Sequence, residues 1–587
     1  MFLKTLNIKN FRAIKELIVD FNDGVNILIG ENNSGKTAVI DALRICYGYG
    51  SQWRAEYVKQ SDFHIDKHNH TDQLPDVEFH LYFELQQEVE AGWFNDLLSV
   101  NKDNKQELQL HFRYYVDEKR GTERIRYQVW GGDNEGQMIT PDVLDLFYFV
   151  HLEALRDAVQ YLRPIRGNRL GQLYSNLVPD KDRRQELASK VRKSLHDDDE
   201  WKDLIEDGKT KVNEHLKKTS IKGKQQNVTI DFLDFEFGRL VEYLKMQMPV
   251  YEEAILNGDG SKQKFFQLFQ NGLGYNNLIY TATVLGDLKR KRELEPETYI
   301  ALLIEEPEAH LHPQLQNIFF NYLSILNNLD FQIFITSHSP SITAKATLDS
   351  LIVLQNQNAK IHSLSLKNSK LTDNNKKYLH KFLDVTKSQL FFANGVVMVE
   401  GISEALLLPE LAKIVGEDYN LEKNGVELVN INGVAFSHFA HLFNPDEETK
   451  RLECRCAILT DDDREDNDQE APRATKAKEL ENGLLIVELA EQTFEYELFM
   501  AGDNKDIMLE IFKKIRPRAS GNIEQGENQQ EYAKNFVAKI ATNKAKSELA
   551  HQLSVKLQDE QETREVFTVP DYIERAIKWV VKGEKDV

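Results

Sequence analysis

Two groups of residues in this 587-residue chain have the types and spacing of reactive sites. The first is Gly30-Glu31-Asn32-Asn33-Ser34-Gly35-Lys36-Thr37, which matches G-x-x-x-x-G-K-[ST]. Glycines let such a loop fold back so that its N–H groups face phosphate oxygens, and a following helix adds positive potential. Gly30, Asn33, Ser34 and Gly35 would form that cradle, Lys36 would neutralise the β- and γ-phosphates, and Thr37 would hold Mg2+. The run Ile300-Ala301-Leu302-Leu303-Ile304 ends in Glu305-Glu306-Pro307. By position Glu305 is the metal-side residue and Glu306 the base that orients a water. Phe334-Ile335-Thr336-Ser337-His338-Ser339-Pro340 sets His338 just beyond another apolar run, where an imidazole can sense a γ-phosphate. A lone histidine there has a purely structural role as its alternative.

The second group is acidic. Val397-Met398-Val399-Glu400-Gly401-Ile402-Ser403-Glu404 ends a strand in Glu400 and opens a helix, so Glu404 at i+4 can share its face. Ala457-Ile458-Leu459-Thr460-Asp461-Asp462-Asp463 ends another strand, and period 2 aims Asp461 and Asp463 to one side. Glu495 and Glu497 follow in Thr493-Phe494-Glu495-Tyr496-Glu497. Hard oxygen donors without a nearby His or Cys cluster suit Mg2+ or Mn2+ and not zinc. Two such ions roughly 4 Å apart can activate a water and stabilise the leaving oxygen of a phosphodiester. Singly, strand-end acids are common, and Asp461–Asp468 would serve equally as a solvated acidic loop.

The elements that must position these groups follow from hydrophobic patterning. Residues 2–29 read as strands, the last of them Val25-Asn26-Ile27-Leu28-Ile29, short and apolar as a buried central strand should be. A helix with Ala38, Ile40, Ala42, Leu43 and Cys46 inward follows the phosphate loop. Residues 77–84 and 107–130 suggest a second sheet. From about 181 to 248 the chain is charge-dense and almost free of Pro and Gly. It reads either as an antiparallel helical pair used for dimerisation or as solvated surface helices. Strand–helix patterning resumes over 299–354, and the polar, Asn- and Lys-rich stretch 355–375 marks a candidate boundary. Beyond it, apolar runs at 395–399, 426–431, 456–460 and 484–488 alternate with helical stretches, which predicts a parallel sheet. The fold class is α/β.

Composition narrows the function classes. Lys+Arg 73 against Asp+Glu 94 gives a net charge of −21, which excludes a uniformly basic nucleic-acid coat but leaves room for a local basic groove. Candidate grooves are Lys289-Arg290-Lys291-Arg292 and the set Lys513, Lys514, Arg516 and Arg518, each with a plain solvated face as its alternative. Three cysteines cannot build a disulfide framework or a four-cysteine zinc site, and no run of 18 apolar residues or apolar signal core occurs. The expectation is a cytoplasmic protein with no membrane partner. His64, His68 and His70 read as flexible surface histidines before a metal site, and His310 and His312 as residues shaping the loop after Glu306.

Taken together, the phosphate loop, the Glu305-Glu306 strand and His338 resemble the ATPase of the ABC/SMC-like class, as in RecF-type DNA-repair proteins. That class carries a long insertion between the first two pieces, and a signature loop from a second copy completes its site. Asn271-Gly272-Leu273-Gly274-Tyr275 is positioned like that loop but departs from Ser-Gly-Gly, with Asn271 at the Ser position. Glu305 stands where Asp is commoner. Glu400 followed by Asp461-x-Asp463 resembles a Toprim domain. Toprim folds also serve primases and topoisomerases, but no nucleophilic Tyr domain can be placed here, and a primase needs no attached ATPase.

An ABC-like ATPase joined to a Toprim domain resembles the OLD (overcoming lysogenisation defect) family of nucleases, to which the large subunit of the Gabija anti-phage system belongs. The resemblance implies an ABC-type ATPase in two parts (1–180 and 251–375), a helical dimerisation insertion (181–250) and a C-terminal Toprim nuclease domain (390–587). It implies a lysine beyond the Toprim core that stabilises charge on the scissile phosphate. Lys546 in Lys546-Ser547-Glu548-Leu549-Ala550 matches it, Lys544 is a near competitor, and Pro570-Asp571-Tyr572-Ile573 resembles the usual close. The implied function is an ATP-binding, Mg2+- or Mn2+-dependent DNA endonuclease with Glu306 and Lys546 as catalytic residues. It would act as a homo-oligomer, dimer or tetramer, in prokaryotic anti-phage defence, with ATP as regulatory ligand and a second defence-system protein or RNA as a candidate partner. The rivals are an SMC-like ATP-switched DNA-binding scaffold without cleavage and a defence nuclease acting on RNA.

Overall fold

The computed structural model describes the chain apart from residues 51–56, 66–73, 95–96, 102–103, 120–121, 155–160, 166, 220–226, 233, 250–264, 310, 326–330, 358, 434, 463–471, 522 and 585–587. Two compact units are present: Met1–Leu144 with Leu303–Glu308 and Pro313–Val587, and Asp145–Leu302 with Ala309–His312.

In the first unit the N-terminal apolar runs become β1 (Phe2–Phe11), β2 (Ile14–Asp20) and β3 (Val25–Ile29), which serve two different sheets. β1 pairs antiparallel with β2 and with β4 (Val77–Glu84); the sheet continues through β6 (Gln106–Lys119), which also pairs β5 (Leu98–Val100) and β7 (Thr122–Gly131). Val77, Phe79, Leu81 and Phe83 are buried with half-exposed residues between them, the period-2 signature of a sheet with one covered face. β3 is buried at every position and lies parallel to β10 (Gln332–Ser337) on one side and β11 (Leu351–Gln357) on the other. A continuous apolar run is what a strand covered on both faces requires. Beyond β10 come the last residues of β9 (Tyr299–Glu305).

The stretch 355–375, expected as a boundary, begins instead as a hairpin. β12 (Lys360–Ser365) pairs antiparallel with β11 from Ile352↔Ser365 to Gln357↔Lys360. Ile361 and Leu364 are buried, while Lys360, His362 and Ser363 keep solvent contact. An edge hairpin needs few apolar residues, so its composition passed for a linker.

The second unit contains β8 (Phe147–Leu152) beside the start of β9, where Tyr299 N donates to Leu146 O at 2.7 Å. Its helices include α2 (Arg169–Leu177), α3 (Lys181–Asp197), α4 (Asp199–Thr219) and α5 (Leu273–Leu294). α3 buries only Ala188, and α4 buries none of its residues. Val191, Trp201, Leu204 and Val212 stay exposed in the single chain.

The C-terminal part of the first unit has a four-stranded, wholly parallel sheet in the order β14 (Val426–Asn430), β13 (Gly395–Val399), β15 (Arg455–Asp461), β16 (Leu485–Ala490). This is the predicted arrangement, and α6 (Ile402–Val415) supplies the first crossover. Parallel pairing puts the C-terminal ends of all four strands at one edge. α7 (Phe494–Met500), α8 (Asn504–Ile515), α9 (Gln529–Thr542), α10 (Lys546–Asp559) and α11 (Asp571–Lys582) complete this region. Leu549, Leu553 and Leu557 recur every four residues along α10 and are buried, as a single core-facing stripe demands. Trp579 Nε1 donates to Cys456 O at 3.2 Å, tying α11 to β15. Phe536 stacks on Phe499 at 4.6 Å and meets Phe512 edge-on at 5.7 Å, all three fully buried. Phe536→Ala should therefore cost about 3–5 kcal/mol and lower the urea midpoint of the transition that reports this core; an unchanged midpoint in near-UV circular dichroism would contradict the packing.

Candidate functional site

The phosphate-loop sequence lies between β3 and α1 (Lys36–Gly48), as the motif requires. Gly30 has φ +145°, and a Cβ there would stand 2.0 Å from Leu354 O, so only glycine lets the chain leave β3 against β11. Gly35 (φ +95°) and Asn33 (φ +62°) are also left-handed, which turns the loop back on itself. Ser34 and Lys36 are buried, and Thr37 is exposed. Lys36 Nζ donates to Gly30 O (2.8 Å), Glu31 O (2.6 Å) and Ser34 Oγ (3.1 Å). Burial lowers this ammonium to about 8, against the opposing charges of Glu306, Glu31 and Glu308.

Glu305 ends β9, and Glu306 follows at φ +40° with its N–H donated to Thr336 O at 3.0 Å. This places a Glu306 carboxylate oxygen 3.4 Å from His338 Nε2. Burial, with the Lys36 charge, lowers His338 below the ordinary imidazole range, so the ring is neutral at pH 7. The three sequence pieces of this site thus converge. Glu308 was not foreseen: one of its oxygens accepts from Ser337 Oγ (2.8 Å) and His338 N (2.9 Å), while the other is buried without a partner among the described residues. Burial raises the Glu308 carboxyl and the Glu306 charge adds to the rise. A third acid after Glu305-Glu306 was its only sequence signal. Asn271 and Gly272 lie in the second unit, Gly272 as the N-cap of α5.

Glu400, Glu404, Asp461 and Glu495 of the second group converge as well. The β13–β15 register carries Glu400 to the level of Thr460, whose hydroxyl donates to Glu400 Oε1; Asp461 N donates to the same oxygen at 3.2 Å. Asp461 Oδ1 accepts from Phe494 N at 3.0 Å, which brings the start of α7 to the end of β15. On α7, Glu495 is buried, and its two oxygens accept from Ser403 Oγ (3.2 Å) and from Lys546 Nζ (2.9 Å). Glu404 lies on the first turn of α6; burial, reinforced by the charges of Glu495 and Glu400, pushes its carboxyl up to about 7, with Lys546 opposing. Lys546 is itself half-buried, and despite desolvation its pKa rises because Glu495, Asp461 and Glu404 surround it. Asp461, Glu497, Glu404 and Glu495 all act on the buried phenol of Tyr572, which burial first holds protonated. Lys546, and not Lys544, is the lysine in this cluster. Asp463 lies outside the described residues, as do His68, His70 and His310.

This donor set fits divalent cations. Hard oxygens from two strand ends and two helices converge, and the Glu404 carboxyl among them is raised to about 7 first by burial and then by the charges of Glu495 and Glu400, with Lys546 opposing. The basic clusters are largely engaged locally. Arg290 pairs with Glu293 and Lys291 with Glu295, while Arg292 donates to Pro296 O; Lys514 pairs with Glu510 and Arg516 with Glu548.

A family profile described as "AAA ATPase domain" (AAA_15) matches residues 1–239 and 184–343. A second, "Overcoming lysogenization defect protein-like, TOPRIM domain", matches residues 391–463. Endonuclease GajA of Bacillus cereus (strain HuB5-5) is 24% identical over 379 residues, 53% of this chain and 53% of that protein, so the match spans about half of that relative. The Old nuclease of Escherichia phage P2 is 24% identical over 494 residues, 78% of each chain. Among solved structures, the C-terminal region of the Xanthomonas campestris pv. campestris OLD protein is 21% identical, covers 33% of this chain and 94% of its own, and superposes with a TM-score of 0.25.

Two outcomes follow from the loop geometry. Gly30→Ala should abolish nucleotide binding, because the loop must move off β11; wild-type affinity for a fluorescent ATP analogue would refute that constraint. Lys36 loses its proton near pH 8 without phosphate beside it, whereas phosphate charge would hold the proton on. ATP affinity should then fall as pH rises above about 8, by up to about tenfold per unit. Calorimetry in buffers of different ionisation enthalpy should register proton uptake; pH-independent affinity without uptake would contradict the lysine's role.

Proposed function

Because the chain belongs to the AAA ATPase domain family and joins that domain to an OLD-like TOPRIM domain, we propose that it is an ATP-binding, divalent-metal-dependent DNA endonuclease. The observation that carries the reading is the meeting of Glu400, Glu404, Asp461 and Glu495 with Lys546 at one edge of a parallel sheet. The nuclease names of the relatives support it. Glu400, Glu404, Asp461, Glu495 and Glu497, with Asp463, would hold Mg2+ or Mn2+, which polarises a phosphodiester and acidifies a bound water.

The chain's own groups prepare that chemistry. Thr460 and the Asp461 N–H aim the Glu400 carboxylate, Phe494 N aims Asp461, and Ser403 steadies Glu495. Lys546 holds its ammonium 2.9 Å from Glu495 and turns from it to a non-bridging phosphate oxygen, where its charge stabilises the developing negative charge. At the other site, Lys36 would turn from the Gly30 and Glu31 carbonyls to the phosphates of a bound ATP. Thr37 and Glu305 would hold the nucleotide's Mg2+, Glu306 would orient the attacking water, and neutral His338 would donate to or accept from the γ-phosphate end. Cleavage and nucleotide groups are separate sets of residues, so ATP acts as a regulatory ligand. The working form is a homo-oligomer, with the Asn271–Tyr275 segment of a second copy completing the nucleotide site. The setting is prokaryotic anti-phage defence, with a second defence protein or RNA as partner.

Supercoiled plasmid in Mg2+ or Mn2+ should be nicked by the wild-type protein. Asp461→Asn should lose more than the ~10–100-fold typical of outer-shell changes while binding ATP normally, and Lys36→Ala should lose ATP binding. Cleavage confined to RNA in parallel reactions would replace the substrate class. ATP binding with no cleavage of any nucleic acid would leave a DNA-binding scaffold and overturn the proposal.

A further inference from the structure

Away from the strand-end acids, the described residues hold another cluster of metal-ligating side chains. His362 on β12, Glu448 in the short 3-10 turn Glu448–Lys450 and Glu453 just before β15 bring one donor atom each to within 4.8 Å of one another. Among the described residues the His362 ring makes no hydrogen bond, although it is half-buried and faces both carboxylates. Lys360 Nζ takes one oxygen of Glu448 at 3.0 Å, and Arg451 Nε takes one oxygen of Glu453 at 2.9 Å. Among the described residues each glutamate therefore keeps an oxygen without a hydrogen-bond donor, and the imidazole keeps its lone pair. Burial lowers His362 below the ordinary imidazole range, so near neutral pH it is the uncharged form that can ligate.

We infer that His362, Glu448 and Glu453 form a binding site for a transition-metal dication, with Zn2+ the best match. An imidazole nitrogen beside two carboxylates selects against Mg2+, which takes oxygens alone, and favours zinc. With bonds of about 2.0–2.2 Å a tetrahedral site spaces its donors about 3.4 Å apart. The observed spread closes to that with side-chain shifts on the order of 1 Å, and a water fills the fourth position. The consequence lies in the chain path. β12 belongs to the sheet that carries the phosphate loop, whereas Glu453 feeds β15, whose far end is Asp461. The backbone at Glu453 already donates to Gln355 Oε1 on β11 at 2.8 Å, and Lys370 pairs with Glu447 at 3.3 Å. A metal at His362 would add a coordinate link to this junction, whatever reaction the strand-end acids perform.

The test is equilibrium dialysis of the full-length chain against Zn2+ in excess Mg2+, with Asp461→Asn removing the strand-end site. That variant should retain about one zinc per chain, and its thermal midpoint should rise on adding zinc. Adding His362→Ala should weaken zinc binding by about tenfold or more and abolish the thermal shift. Glu453→Gln, which keeps the side-chain shape, should do the same and decides the matter if His362→Ala loses its native circular dichroism. Zinc bound equally with and without His362, or bound by neither, overturns the site.

Discussion

Negative charge crowded at one edge of a parallel sheet is the constraint around which the C-terminal half is organised. Glu400 and Asp461 arrive there because β13 and β15 run parallel in register, and Glu404 and Glu495 because α6 and α7 begin at the same edge. Burial first, and the repulsion of like charges so placed second, raise the Glu404 carboxyl to about 7. Backbone and hydroxyl donors and the Lys546 ammonium offset part of it. A folded chain tolerates such a cluster when a large, dry core holds its supports in place. Here that core is the aromatic and aliphatic packing of Phe499, Phe512, Phe536 and the α10 leucines, with Trp579 fastening α11 to β15.

The loop after β3 obeys the opposite arithmetic. There a cation is confined and acids surround it: burial draws Lys36 down to about 8 while Glu306, Glu31 and Glu308 pull it back. The same environment keeps His338 neutral and Glu308 raised. β11 touches both halves of this story. Leu354 O blocks any side chain at Gly30, and the next residue, Gln355, accepts the backbone N–H of Glu453 ahead of β15. Backbone atoms and one amide therefore connect the strand flanking the phosphate loop to the strand that presents Asp461.

Elements with dense, uninterrupted patterns were legible from residue order. β3, β9, β10, β13 and β15 are short apolar runs, buried nearly throughout, and each ends where a reactive side chain was expected. The hairpin at Leu351–Ser365 was not legible in full, because an edge strand exposes half its residues and its Asn and Lys content looks like a linker. Glu308 and Tyr572 were also hidden in their roles. Nothing in Pro307-Glu308 distinguishes a carboxylate that will be buried under Ser337 and His338, and Pro570-Asp571-Tyr572-Ile573 reads as a closing segment with no sign of the acids around the Tyr572 phenol.

Spacing along the chain sufficed to single out the loop after β3, the Glu305-Glu306 pair and the acids at the ends of two strands as candidates, because each motif is local and its chemistry demands those residue types. It also narrowed the family before any contact was known. What order in sequence could not decide was which acids meet, which of two neighbouring lysines joins them and which carboxyl keeps its proton. Those outcomes depend on strand register, on the angle at which α7 and α10 approach, and on burial, all set by packing between segments some fifty to one hundred and forty residues apart. Local pattern chooses the reactive groups; only the closed sheet edge sets their distances, and with the distances their charges.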